Sequence, residues 1–178
     1  MRFREQQNNL KPAIPYIYLY GKNTVDTFTS IGQFHTWDTT KIKTAHFQYT
    51  VDTDKITLGT NSSGFFLIEF DCSFITYTNA WIQVISSIYK NGTYVEGTES
   101  YCSIYATIRG PTVYASQTIH AVVYLEKGDN IKIHTYTNNA GNTYNLGDTC
   151  RLIISFIPMR GWDNSSAGRE QYCGEIAR

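Results

Sequence analysis

Between Val113 and Tyr136 the chain alternates in a way that leaves little freedom of fold. Val113, Ala115, Ile119, Ala121, Val123 and Leu125 share one face at period two. After Lys127-Gly128-Asp129 a second alternating run places Ile131 and Ile133 inward and Lys132 and His134 outward. A period of two marks strands with one buried face, and a glycine in the reversal supplies the positive φ that a tight turn needs. The stretch reads as a hairpin in an all-β protein.

The rest of the chain repeats the theme. Strands are expected over 15–20, 33–38, 46–51 and 55–58, with Phe47, Tyr49 and Val51 inward. A long one spans Gly64 to Thr76, where Phe66, Ile68, Phe70, Cys72 and Phe74 share a face opposite Glu69, Asp71 and Ser73. Trp81 to Lys90 follows and ends at Asn91-Gly92, the strongest short hairpin signal. Further strands are expected over 101–108 and 149–158, the last with Cys150, Leu152, Ile154 and Phe156 inward. No segment has helical spacing. About ten strands separated by turn residues argue for a sandwich, and no longer period recurs that would mark a propeller or β-helix.

Composition matters mainly for what it excludes. The 178 residues suffice for one domain with a substantial core. Formal net charge is zero, so there is no electrostatic footprint for nucleic acid or anionic lipid. Fourteen Tyr and nine Phe fit strands rather than helices. No run approaches the roughly 20 apolar residues of a membrane span, so no membrane insertion is expected. The first nine residues contain no apolar core of a signal peptide, which reads as synthesis in a cytoplasm.

Ordered along the chain, four elements resemble the C1q and tumour-necrosis-factor (TNF) jelly-roll superfamily over residues 15–158. They are Phe47-x-Tyr49 with Ile56-Thr57-Leu58, Gly64-Phe65-Phe66-Leu67-Ile68, Ile88-Tyr89-Lys90-Asn91-Gly92, and Leu125-x-x-Gly128-Asp129-x-Ile131. The resemblance implies a two-sheet antiparallel jelly-roll sandwich that forms threefold trimers. It also implies that the 64–76 and 149–158 strands are antiparallel neighbours, with Gly64 opposite Pro158 and Cys72 opposite Cys150. The expectation for that pair is proximity with free thiols, since cytoplasmic synthesis keeps thiols reduced and directly opposed strand positions fit disulfide geometry poorly.

Strand 81–90 carries apolar residues on both faces: Ile82, Val84 and Ile88 on one, Trp81, Ile85 and Tyr89 on the other. A sandwich strand ordinarily has one polar face. The second apolar face therefore calls for a partner surface, and Trp81, Ile85 and Tyr89 are expected at the trimer interface. The alternative is a loop of the same chain folded over them.

No catalytic constellation emerges, and an enzyme is not expected. His35, His46, His120 and His134 lack metal-ligand spacing, although His120 and His134 face outward on the two arms of the hairpin. There is no nucleophile elbow. Asp52, Asp54 and Asp129 sit in turns, where backbone capping is the commoner role than calcium. No metal and no cofactor are assigned.

The two ends lack periodicity yet hold large anchors: Arg2, Phe3 and Arg4 in residues 1–14, Trp162 and Tyr172 in residues 159–178. Aromatic and Arg anchors suit docking arms, because such residues dominate interface energetics. The combined expectation is an N-terminal docking arm (1–14), a jelly roll (15–158) and a C-terminal extension (159–178). Such a chain resembles the C1q-like decoration and head-fibre knobs of bacteriophages and large DNA viruses. The resemblance implies a virion homotrimer on capsid, portal or tail proteins, stabilising the shell or attaching to a host-surface glycan or protein. The alternatives are a C1q-like ligand-binding module of a bacterial or animal protein, and an enzyme on a jelly roll.

Overall fold

The computed structural model describes residues 14–21, 27–29, 31–37, 39–50, 53–59, 63–76, 81–105, 114–138, 143–145 and 150–158. The described residues form strands and turns and no helix. In chain order the strands are β1 (Tyr16–Tyr20), β2 (Thr27–Phe28), β3 (Gln33–Phe34), β4 (Thr39–Lys43), β5 (Phe47–Tyr49), β6 (Ile56–Leu58) and β7 (Gly64–Thr76). They continue with β8 (Trp81–Lys90), β9 (Thr93–Tyr94), β10 (Ser100–Tyr105), β11 (Tyr114–Leu125), β12 (Asn130–Thr137), β13 (Thr143–Asn145) and β14 (Arg151–Phe156). The two longest apolar runs, 64–76 and 81–90, form strands with the bounds that their alternation predicts. β2, β4, β9 and β13 were not expected. They are short or polar, and cross-strand pairing defines them rather than any pattern of their own.

Two antiparallel sheets result. In the first, β4, β1, β14 and β7 lie side by side. β11 covers the other edge of β7 along nearly its whole length, from Tyr114 opposite Ile75 to Leu125 opposite Gly64. β13 continues past β14 on β7, and β2 pairs with β13. In the second sheet the order is β10, β8, β12, β6 and β5, with β3 on β12 and β9 on β8.

The 113–136 stretch is not the paired hairpin that its alternation suggests. Its strands are joined by a tight turn with Gly128 at φ 91°, but they do not pair with each other. β11 belongs to the first sheet and β12 to the second. Both have apolar inner faces because they line the same core from opposite sides, a pattern that sequence alternation cannot tell from a paired hairpin. His120 and His134 accordingly sit on different sheets and do not meet. The Asn91-Gly92 turn, by contrast, is a true hairpin, with both residues at positive φ (52° and 81°) between β8 and β9.

The core lies between the sheets. Ile17, Leu19, Phe66, Ile68, Phe70, Phe74, Leu152 and Ile154 enter from the first; Ile82, Val84, Ile88, Ile131 and Ile133 come from the second. Burying each such side chain contributes roughly 1.5–3 kcal/mol. β14 pairs with β7 so that Arg151 faces Asp71 and Phe156 faces Phe66. One step further along this register Cys150 stands opposite Cys72, as expected.

The thiols are not free, however: Cys72 and Cys150 form a disulfide with a Cα–Cα distance of 4.1 Å. The reason is local. The Cys150 carbonyl accepts a hydrogen bond from the Gly21 amide, on the β1 side. Its pair with Cys72 is thus of the non-hydrogen-bonded kind, in which backbones approach most closely and side chains are nearest.

Candidate binding faces

Each sheet turns one face to the core and one outward, and the two outward faces differ. On the second sheet, residues in register form aromatic rows. Trp81 lies opposite Tyr105, and Ile85 lies between Tyr101 and Tyr136. Tyr89 stands between Lys132 and Tyr94. His134 pairs with Phe34 on one side and Ser87 on the other.

The rings at one end of this face pack on one another. Tyr89 meets Phe34 edge-on at 5.5 Å between centroids, and His134 lies 5.3 Å from Tyr89 and 5.0 Å from Phe34. Lys132 Nζ sits 4.7 Å above the Phe34 ring and 2.9 Å from Asp54 Oδ2. Gly32, at φ 75°, closes over this cluster: a Cβ there would fall 2.5 Å from His134 Cε1. Only glycine fits that approach and that φ. Burial pushes the pKa of His134 below its ordinary value.

The other end of the face is open. Trp81 is 65% exposed, and Tyr101 and Tyr105 are exposed beside it. Tyr101 donates its hydroxyl proton to Glu99 Oε2, and this bond to a carboxylate is the largest of the effects that push its pKa up to about 12. Of the three residues expected at an interface, only Trp81 projects into solvent. Ile85 is 6% exposed, covered by its cross-strand neighbours, and Tyr89 is half-buried in the ring cluster. Tyr101 and Tyr105 were missed; their period-two spacing opposite an apolar strand was the available signal.

The outward face of the first sheet divides into a polar and an apolar half. Asp71 Oδ2 accepts from Arg151 Nε at 2.7 Å and Asp71 Oδ1 from Thr118 Oγ1 at 2.6 Å. Ser73 and Ser116 hydroxyls lie 2.7 Å apart, and His120 Nε2 is 3.7 Å from Glu69. Partial burial pushes the Asp71 pKa up, but hydrogen bonds from Thr118 and Arg151 and the charge of Arg151 outweigh it, leaving the carboxyl below its usual range. At the apolar half, Phe65 and Tyr124 pack at 5.3 Å. Val122, opposite Leu67, is 59% exposed beside them.

Asp129 has a structural role. Its Oδ2 accepts from the Glu126 amide at 2.7 Å and pairs with Lys90 Nζ at 2.7 Å, while Oδ1 accepts from Asn91 Nδ2 at 2.6 Å. The docking-arm residues Arg2, Phe3, Arg4, Trp162 and Tyr172 lie outside the described residues, as do both arms apart from Ile14.

No protein-family model matches the sequence, and no curated protein does. Solved structures do. Murine APRIL at pH 5.0 superposes with a TM-score of 0.56 at 11% identity, covering 82% of this chain and 100% of that one. The fold is a TNF-like jelly roll. The Eiger TNF of S. frugiperda gives the same result, with a TM-score of 0.57 at 10% identity over 86% of this chain and 98% of that one. Likeness at this level of identity concerns the fold alone.

Proposed function

We propose that the chain is a non-enzymatic binding and structural knob that works as a homotrimer on a virus particle. In this reading the jelly roll decorates a capsid or tail, the segments 1–14 and 159–178 dock it to capsid, portal or tail proteins, and an outward face meets a host-surface glycan or protein. The observation that carries it is the exposure of grouped aromatic side chains on a jelly-roll sheet: Trp81, Tyr101 and Tyr105 together on the second sheet. Large aromatic residues at a surface are the usual anchors of protein interfaces. Trp81 is then the contact residue at the threefold interface, with Ile85 between Tyr101 and Tyr136 further along the strand and Tyr89 in the ring cluster at its far end.

A second placement of the trimer contact is favoured by the patch of Phe65, Val122 and Tyr124 on the first sheet, where three exposed apolar side chains adjoin. Light scattering of the full chain tests both. A trimer is expected at micromolar concentration, with Trp81→Glu giving monomer and Val122→Glu leaving the trimer intact; the opposite pattern moves the interface to the first sheet. A soluble wild-type monomer removes the trimer. Cryo-electron microscopy of purified particles tests the virion role, since truncation of 1–14 or of 159–178 should leave a folded trimer that no longer decorates. Full occupancy by both truncated forms rejects the docking arms.

A further inference from the structure

We propose that His35, Cys72 and Cys150 form a buried site for a thiophilic divalent metal ion, with zinc as the ion that fits it, filled when the Cys72–Cys150 bond is reduced. The potential ligand atoms of these three residues lie within 4.8 Å of one another. All three residues are buried. The cysteines come from β7 and β14 of the first sheet. The imidazole reaches the core from the second sheet, where the His35 amide bonds to the Ile133 carbonyl and Thr135 Oγ1 holds Nε2 at 2.7 Å.

The donor set selects the ion. Two thiolates and an imidazole suit zinc and exclude calcium and magnesium, which require oxygen ligands. Charge balance points the same way. Two thiolates offset a divalent ion, so with a neutral imidazole the site has no net charge. A core lined by Phe70, whose ring lies 4.9 Å from that of His35, strongly disfavours uncompensated charge. Burial first, and then the charge of His134, push the His35 pKa down to about 3. Metal binding takes the neutral form of an imidazole.

A separate observation comes from β11. Gln117 stands directly opposite Cys72 and is 4% exposed. Its Nε2 donates to Ser86 Oγ, whose hydroxyl lies 2.6 Å from Thr135 Oγ1, so side-chain hydrogen bonds link Gln117 through Ser86 and Thr135 to His35. Its Oε1 is buried with no hydrogen-bond partner. A buried acceptor in that condition is costly. As the fourth, oxygen ligand of a tetrahedral zinc it is satisfied.

The interconversion balances. A dithiol reductant delivers two electrons and two protons to the S–S bond, becomes a disulfide itself, and leaves two thiols. Zinc then displaces both thiol protons to solvent and forms two Zn–S bonds of about 2.3 Å, which places the sulfurs roughly 3.8 Å apart. Rotation of one cysteine about χ1 supplies that separation. Oxidation of the two thiolates by a disulfide oxidant reverses the sequence and expels the ion.

The test uses the full chain in a Cys102→Ser/Cys173→Ser background, which leaves no other thiols to bind metal. The chain is refolded reduced with zinc, or with cobalt(II) as its spectroscopic stand-in, alongside the oxidised form. The expected result is a folded reduced chain holding one zinc equivalent, a thiolate-to-cobalt charge-transfer band, and no metal in the oxidised form. Cys150→Ser should weaken the band and lower affinity at least tenfold, and Cys72→Ser/Cys150→Ser should lose the band. A reduced chain that takes up no zinc above the buffer blank, that stays unfolded with zinc present, or that binds equally well as Cys72→Ser/Cys150→Ser overturns the proposal. Equal uptake by the oxidised form does so as well.

Discussion

The polar half of the first sheet's outward face and the open end of the second sheet's face are built from the same kind of strand and treat their side chains in opposite ways. On the first, Asp71, Arg151 and Thr118 satisfy one another across three adjacent strands, as do Ser73 and Ser116 across two. On the second, Trp81, Tyr101 and Tyr105 stand in solvent while Ile85, in the same sheet, is covered by its neighbours. Cross-strand pairs can complete hydrogen bonds and ion pairs within a sheet, because those need only one correctly placed partner. Apolar area is different: a flat face covers its central residues and leaves its margins wet. The margin of an aromatic face is thus where a second molecule gains most.

The largest effect expected from this contrast concerns folding. Ile85→Glu places an uncompensated charge at a position 6% exposed, which should cost about 3–5 kcal/mol of stability. Val122→Glu, at 59% exposure, should stay within roughly 0.5 kcal/mol. Denaturant unfolding of the two variants measures the difference, and equal values would erase the distinction between centre and margin. For assembly, Trp81→Glu is accordingly a cleaner probe than Ile85→Glu, which destabilises the fold itself.

Acid sharpens the comparison. His35 lies beneath the second sheet with its pKa lowered from 6.5 to about 3. Above pH 6.5 its neutral form is common to folded and unfolded chains, and the full stability is present. As pH falls through 6.5 the unfolded chain gains a proton that the folded chain refuses, so stability declines until pH reaches about 3. Asp71 also has a lowered pKa. Its contribution is present above the ordinary value of 3.8 and is lost only below it, as pH falls through the folded value. Chemical unfolding between pH 7 and 4 should therefore show a decline that His35→Gln reduces, leaving the part due to His134, whose pKa burial also lowers, and that Asp71→Asn leaves in place. A decline unchanged by His35→Gln would mean that another group carries it.

The smallest effect belongs to the ion pair itself. Arg151 is exposed and solvent screens it, so Asp71→Asn with Arg151→Gln should cost less than about 1 kcal/mol near neutral pH. A larger loss in thermal unfolding would show that the polar half of the first face contributes to the fold and is not merely self-satisfied.

Much of the architecture was legible in the chain because its signal is local. Phe66, Ile68, Phe70, Cys72 and Phe74 alternate with polar residues, and period two alone defines that strand and its buried face. The β7–β14 register followed from a family resemblance and held to the residue. Which sheet a strand joins is not local. β11 and β12 have the same alternation whether they pair with each other or face each other across a core, and only the partners β7 and β8 decided it.

The candidate sites divide in the same way. Trp81 could be picked out as an exposed aromatic on a strand with two apolar faces, but the covering of Ile85 depends on Tyr101 and Tyr136, which approach from two other strands. No spacing in the sequence joins residues 35, 72, 117 and 150. The polar and sulfur groups around His35 meet because two sheets close over one core, and the disulfide forms because its positions fall at a non-hydrogen-bonded pair. Side-chain periodicity is a property of a strand by itself, and the sequence determines it. Pairing and enclosure are properties of strands together, and the tertiary structure alone decides them.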